Sequence, residues 1–329
     1  MAQSNDLLYD RGMSKAIEQP SPDLALGIQQ VRVAGGIIVS DFARPFADLP
    51  FEEKADRIRS LVGKTDVDAS NAVVRDIAGA TGEKTITEEY ERVAKDLLQF
   101  VASYDEDNVW CLDPLDGTKN FRDAIDANPD LDPSKPPRIS LAMVSLAKII
   151  GGRPRVGALL APVLGAPARL YAAEEDQGAF LEIEGGRTEL KVDSSNNSGL
   201  VLVSENNHPH IDQITQHKGL TFVRLGGMVF KMLCVSDPAL IRTYVSRLDP
   251  ATRRLLANEP IVGTLSNSAA LHDFAAASVV NRESGAIVTA TNGDKQLSRG
   301  KGEHGIIVAN NARIHGILVD AMHSEIRSS

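Results

Sequence analysis

The chain has 329 residues, 43% hydrophobic and 24% charged, a globular balance with enough length for a large core and two domains. Its formal charge of −9 disfavours a nucleic acid polymer as partner, and an anionic substrate would need local cations or a metal ion. No apolar run approaches the ~20 residues of a membrane helix, and Met1–Gln19 is polar and broken by charge, unlike a secretory leader. Residues 1–22 read as a polar N-terminal arm closed by Pro20 and Pro22. From Asp23 onward Leu24, Ile28, Val31 and Ile38 recur at helical spacing, with Gly35 in the stripe and Ser21 or Asp23 as cap. A short helix is expected over 52–63 and another over Val73–Ala80, ended by Gly82. Ile86 leads into Glu88 and Glu89 at a strand end, and Tyr90–Ala102 is expected to be helical.

Val109–Leu112 is an apolar, strand-like run, followed by Asp113-Pro114-Leu115-Asp116-Gly117-Thr118. Pro114 lacks an amide hydrogen, so regular pairing should stop there and leave two carboxylates on a stiff turn. Gly117 permits a tight backbone path, and amides from there onward can point at an anion. Oxygen ligands of this kind suit a hard divalent cation; the alternative is a polar turn capping a helix. Asp126–Pro137 is a surface loop by composition, long enough to close over a substrate. Strands at Ile139–Ile150, Val156–Pro162, Leu170–Ala173 and Gly178–Leu181 suggest a large, mostly antiparallel sheet. The Ser/Asn-rich stretch Val192–Gly199 marks a boundary between an α+β domain over 23–192 and a smaller α/β domain over 193–329.

Leu200–Val203 opens that second part as a buried strand. His208 and His210 follow its end, where they can either contact an anion or simply sit in an exposed loop. Phe222–Leu225 is a further strand, and Gly226-Gly227 precedes a helix carrying Lys231. A glycine turn and an ammonium suit an anionic group, while a solvent-facing lysine is the plain alternative. Asp249–Leu255 is expected to be helical, with Arg253 and Arg254 either on a solvated face or reaching a phosphate-rich ligand. A helix from Asp273 to Val280 and a last strand at Gly305–Asn310 complete the chain. Cys111 and Cys234 are too few for a disulfide framework and read as buried thiols of a reducing, cytoplasmic protein.

Trp110 to Phe121 reproduces Trp-x-x-Asp-Pro-Leu/Ile-Asp-Gly-Thr-x-Asn-Phe with its spacing intact. This resembles the signature of the inositol monophosphatase-like superfamily, the lithium-sensitive Mg²⁺-dependent phosphatases. Three further segments resemble the same family in the expected order. They are Val31–Ile38, Ile86–Glu89, and Leu271–Ala277 followed by Glu283–Thr289. The resemblance covers about residues 25–320 and implies an α/β (α+β) fold, the layered αβαβα sandwich of the inositol monophosphatase and fructose-1,6-bisphosphatase type. It also implies a homodimer that acts on a small phosphorylated metabolite with two or three Mg²⁺ ions. The carried-over ligands are Glu88, Asp113 and the Leu115 carbonyl for one ion, and Asp113, Asp116 and Asp273 for the next. Thr118 would orient the attacking water, with Glu89 beside it as a further catalytic candidate, and the amides of Gly117 and Thr118 would hold the phosphate.

The family's water-orienting Asp is harder to place. Matching Val67 puts Asn71 at that position, so either Asp68 replaces the missing carboxylate or catalysis is slow, with helix capping by Asp68 as the plain alternative. His272 stands where the family has Trp, and Asp237–Asn267 departs most from it, with Tyr244 and Arg247 echoing a family strand. Gly226, Gly227, Lys231 and the ending at Asn310 resemble the bisphosphate nucleotidase branch, with His208 as a further substrate contact. A 3′-phosphonucleotide such as 3′-phosphoadenosine 5′-phosphate is therefore the first expectation. An inositol or other sugar monophosphate, or a phosphorylated metabolite of a specialised pathway, comes next. A non-catalytic metal- or nucleotide-sensing relative is the rival from another class. The chain has no Cys-x₅-Arg and no Gly-x-Ser-x-Gly to suggest a covalent nucleophile.

Overall fold

Helix α1 (Pro22–Phe42) begins at a cap, where the Ser21 hydroxyl accepts the Leu24 amide at 3.1 Å. Its stripe of Leu24, Ile28, Val31, Ala34 and Ile38 is buried. Helix α2 (Phe51–Thr81) is one continuous rod, so the two shorter helices expected at 52–63 and 73–80 are joined. No proline interrupts it, Lys64 pairs with Asp68 one turn along, and the Gly63 carbonyl accepts the Arg92 guanidinium at 2.7 Å. The described segments cover residues 19–42, 51–118, 143–161, 167–204, 219–242, 250–295, 297 and 304–326 of a computed structural model. Most of the N-terminal arm, the 126–137 loop, His208, His210, Tyr244 and Arg247 lie outside the described residues.

After β1 (Thr85–Thr87) only a short 3₁₀ helix (Lys95–Phe100) forms where the sequence predicts a helix over Tyr90–Ala102. The backbone donors there have other partners: the Ala94 amide goes to the Asn71 side chain at 2.9 Å, and the Ala102 amide to the Thr85 carbonyl at 3.0 Å. Then come β2 (Val109–Asp116), β3 (Met143–Ile150), β4 (Arg153–Ala161), β5 (Arg169–Glu174), β6 (Gly178–Ile183) and β7 (Gly186–Glu189). With β1 they form a seven-stranded sheet in sequence order, antiparallel except for the β1–β2 pair.

The chain changes sheet in the Ser/Asn-rich stretch between Glu189 and Gly199. The second sheet contains β8 (Gly199–Val203), β9 (Leu220–Arg224), β10 (Ile261–Ala269), β11 (Ile287–Ala290) and β12 (His304–Ala309), in the order β11-β12-β10-β8-β9. Helices α3 (Met228–Ser236), α4 (Pro238–Arg242), α5 (Pro250–Asn258), α6 (Leu271–Glu283) and α7 (Ala312–Ile326) complete the order. Most of strand β10 lies inside the segment that departs from the family pattern, and α7 follows the strand expected to be last. The first is masked in the sequence by Ser266, Asn267 and Ser268, which break its apolar run.

Alternation along the strands builds the layers. Trp110, Leu112, Val144, Leu146, Ala158 and Leu160 pack with α1 and α2 on one face of the large sheet. Val109, Cys111, Ala147, Leu159 and Tyr171 share a core with α3 and α6 on the other. Leu200, Leu202, Ile306 and Val308 of the second sheet close that same core, while Val201, Val203, Val262 and Ile307 pack against α7. The result is an αβαβα sandwich, and both cysteines are free and buried within it. Polar ties cross the layers: Asp237, after α3, accepts Arg169 at 2.6 Å and the Tyr171 hydroxyl at 2.8 Å from β5. The Asn310 side chain donates to the carbonyls of Asp193 and Asn196 at 3.0 and 2.9 Å, which ties the connection between the sheets to the end of β12.

Helix α6 reaches β4 closely because Gly157 has no side chain: a Cβ there would lie 2.4 Å from the Ala276 carbonyl oxygen. Backbone on both sides cannot yield cheaply. Gly157→Ala is expected to lower stability by about 1–3 kcal/mol in urea unfolding, through overpacking. An unchanged midpoint would show that the two layers can separate without cost.

Candidate active site

Asp113 and Asp116 are three residues apart on one strand, a spacing that in regular β-structure directs side chains to opposite faces. Pro114 changes this. Strand β2 does not stop there, as Pro114 alone suggests, but its pairing shifts: Asp113 lies opposite Ser145 and Asp116 opposite Met143. Three steps on β2 thus match two on β3, and the extra residue of the bulge turns both carboxylates to the same side. The Leu115 amide donates to Asp113 Oδ1 at 3.0 Å, and the Thr118 hydroxyl donates to the Leu115 carbonyl at 2.7 Å. Gly117, at φ 90°, makes the turn between them.

Other elements bring further acids to this point. The first turn of α6 supplies Asp273, whose carboxylate also accepts the Ala270 amide at 2.6 Å. One oxygen each from Asp113, Asp116 and Asp273 lies within 4.8 Å of the others. Parallel pairing of Thr87 with Leu112 continues as the Glu88 amide reaches the Leu112 carbonyl at 3.4 Å, which sets exposed Glu88 level with Asp113. Asp116 also accepts the Met228 and Val229 amides at 3.1 and 3.0 Å and so caps α3.

These acids line a cavity of about 300 Å³ with Leu115, Gly117, Thr118, Gly226, Gly227 and Lys231. Lys231 is 2% exposed rather than solvent-facing, and its ammonium donates to the Ser204 hydroxyl at 2.7 Å. Burial raises the Asp113 carboxyl well above the usual range, helped by Glu88, Asp116 and Asp273. Burial and then Asp273 push Asp116 up to about 7, against the Met228 amide, Lys231 and the Val229 amide. Carboxylates crowded in this way fit a hard, oxygen-seeking cation, because a cation removes both the repulsion and the desolvation cost. His272 braces Asp273: its Nδ1 is 2.8 Å from the Tyr104 hydroxyl and its Nε2 3.4 Å from Asp273 Oδ1. With Tyr104 donating, the Nε2 proton faces the carboxylate.

The structure separates the two candidates for the water-orienting group from the cavity lining. Asp68 pairs with Lys64 on an exposed part of α2, and the Asn71 side chain accepts the Ala94 amide. Asp66, which sequence reasoning passed over, is the buried carboxyl on this helix, and burial followed by Glu89 and Glu88 raises it to about 8. Arg92 partly offsets them and pairs with Glu89 at 2.7 Å. The signal was in the periodicity: Val62, Asp66, Ala69, Ser70 and Val73 form the inward stripe of α2, and Asp68 falls off it. Ser204, Ser266 and Ser268 also line the cavity without having been singled out by the motifs. The paired Arg253 and Arg254 lie on α5, partly to fully exposed and away from the lining.

A sequence profile described as "Inositol monophosphatase family" matches residues 19–327. Among curated protein sequences, none matches this chain. The fold is similar to that of extragenic suppressor protein suhB from Bartonella henselae, at 18% identity and a TM-score of 0.62, covering 93% of this chain and 100% of that one. An IMPase from Thermotoga maritima is similar at 17% identity and a TM-score of 0.60, covering 93% and 98%. CysQ from Bacteroides thetaiotaomicron, described as a bacterial member of the inositol monophosphatase family, is similar at 19% and 0.60, covering 88% and 97%.

Removing one acid should relieve the crowding in metal-free protein. Asp113→Asn is expected to raise the stability of EDTA-treated protein at alkaline pH by roughly 1–3 kcal/mol, since a buried charge disappears. Mg²⁺ should raise the unfolding temperature of the unsubstituted chain and have little effect on the variant. Calorimetric scans with and without Mg²⁺ test both; equal Mg²⁺ shifts in the two proteins would disprove cation binding at this cluster.

Proposed function

The chain belongs to the inositol monophosphatase family, and from that premise we propose a Mg²⁺-dependent phosphomonoesterase acting on a small metabolite with a second anionic group, a 3′-phosphonucleotide such as 3′-phosphoadenosine 5′-phosphate. Family membership makes it a phosphoric monoester hydrolase; the ions, their number and the substrate are the parts proposed. The observation that carries the reading is one cavity with a three-carboxylate cluster beside Gly117 and Thr118 and a buried lysine.

In this reading Asp113, Asp116 and Asp273 hold two or three Mg²⁺ ions, together with Glu88 and the Leu115 carbonyl. That carbonyl accepts Thr118 with one lone pair and keeps the other. When bound, the ions supply charge stabilisation at the phosphoryl group and a water of lowered pKa. The amides of Gly117 and Thr118 hold phosphate oxygens, and the Thr118 hydroxyl fixes the turn that aims them. Asp66, with Glu89 and Glu88 as neighbouring charges, helps position Glu88, and neither Asp68 nor Asn71, the alternatives for the water-orienting group, lines the cavity. Lys231, anchored by Ser204, receives the second anionic group next to Gly226 and Gly227. The amides of Met228 and Val229 are not free for such an anion, because Asp116 occupies them. His208 as a substrate contact, a homodimer and a cytoplasmic setting belong to the same reading and rest on the sequence.

A second reading, an inositol or sugar monophosphate, is favoured by one observation: among the described residues, no aromatic ring lines the cavity to stack a base. Phosphate release across a panel of esters with Mg²⁺ decides between them. The expected order is 3′-phosphonucleotide first, with Asp273→Asn costing at least about a hundredfold in kcat. Lys231→Met should raise KM about tenfold for the bisphosphate and leave an inositol monophosphate unaffected. Equal effects on both esters would remove the nucleotide reading, and full activity in Asp273→Asn would remove the phosphatase mechanism.

A further inference from the structure

A second cavity, of about 270 Å³, shares no residue with the acidic one. It lies between the β3–β4 turn, the C-terminal end of α6 and strand β11. Among the described residues three cations line it, Arg153, Arg282 and Lys295, and no acidic side chain does. Its remaining wall is largely apolar, with Pro154, Ile287, Val288 and Leu297.

The cations are held in unlike ways. Arg282 is half-buried and fixed, its Nη2 donating to the Pro154 carbonyl at 2.8 Å. Arg153 and Lys295 are exposed at the rim. No ion pair among the described residues uses any of the three. Burial and the like charges of Arg153 and Arg155 lower the Arg282 pKa, and only Glu283 acts in the opposite sense. The Glu283 carboxylate is itself engaged with the Gly178 amide at 2.9 Å, and Arg155 is paired with Glu175. A half-buried guanidinium crowded by cations is stabilised when an anion comes to it. On a chain of charge −9, such a cavity stands out from its surroundings.

We propose that this cavity is a binding site for a small organic phosphate, with Arg282 as its fixed anchor, Arg153 and Lys295 closing on the phosphate from the rim, and the apolar wall receiving the carbon skeleton. Guanidinium groups match phosphate oxygens in pairs, and a lysine adds a mobile charge. The volume is at the small end of ligand sites.

The test uses full-length protein in EDTA, with Lys231→Met as the variant that reports any phosphate bound in the acidic cavity. Inorganic phosphate and glycerol 2-phosphate are titrated by calorimetry at about 0.15 M ionic strength. One saturable site is expected, with a midpoint on the order of 1 mM or below. Arg153→Gln/Lys295→Gln, both at exposed positions, should weaken it at least about tenfold while Mg²⁺-dependent turnover is retained. Lys231→Met should leave it unchanged. Absence of saturable binding, equal binding in the double variant, or loss of binding in Lys231→Met would each overturn the proposal. None of these outcomes depends on which ester the acidic cavity hydrolyses.

Discussion

Three carboxylates that repel one another are held within 4.8 Å in a mostly dry place, and much of the architecture can be understood as the means of keeping them there. Two separate constraints bring them together. Asp113 and Asp116 share a face only because Pro114 creates a bulge in β2. Asp273 arrives on a helix wedged between two sheets, where Gly157 lets it approach β4. Left uncompensated, burial and mutual repulsion protonate such groups, which is the direction in which Asp113 and Asp116 are shifted. A divalent cation reverses that logic, since it replaces repulsion by coordination.

The residues around the cluster also serve more than one purpose. Asp116 joins the acidic cluster and also caps α3, so the cavity floor and the helix carrying Lys231 are coupled through one side chain. Tyr104 and His272 brace Asp273 where the family pattern has an indole. On the opposite face of the sheet, the Trp110 indole donates to Glu83 at 2.8 Å, and buried Lys148 pairs with the same carboxylate and lies 5.2 Å from the ring centroid. The motif tryptophan thus anchors β2 from behind, while the aspartates work in front.

Charge is also distributed unevenly along α6. Its first turn carries Asp273 in the acidic cavity, and its last turn carries Arg282 in the cationic one. At 1.5 Å per residue the nine intervening steps separate them by roughly 14 Å. The arrangement agrees in part with the helix dipole, which favours an anion at the first turn and a cation at the last. One helix therefore presents opposite charge to two cavities without bringing the charges together.

The amino-acid sequence alone determined the local events. Ser21 capping α1, the stripe of Leu24 to Ile38, the alternation that makes β2 two-faced, and the Asp-Pro-Leu-Asp-Gly-Thr turn all follow from short-range spacing. Boundaries were less legible where distant partners took the backbone donors, as at Tyr90–Ala102, or where polar residues masked a strand, as in β10. Only the tertiary structure decided which groups converge. It pairs Asp68 with Lys64 and turns Asp66 inward, buries Lys231 against Ser204, commits Asn310 to the connection between the sheets, and gathers Arg153, Arg282 and Lys295 from three separate segments. Local spacing specifies the face on which a side chain lies; what it meets there depends on residues tens to hundreds of positions away, brought near only when the layers pack.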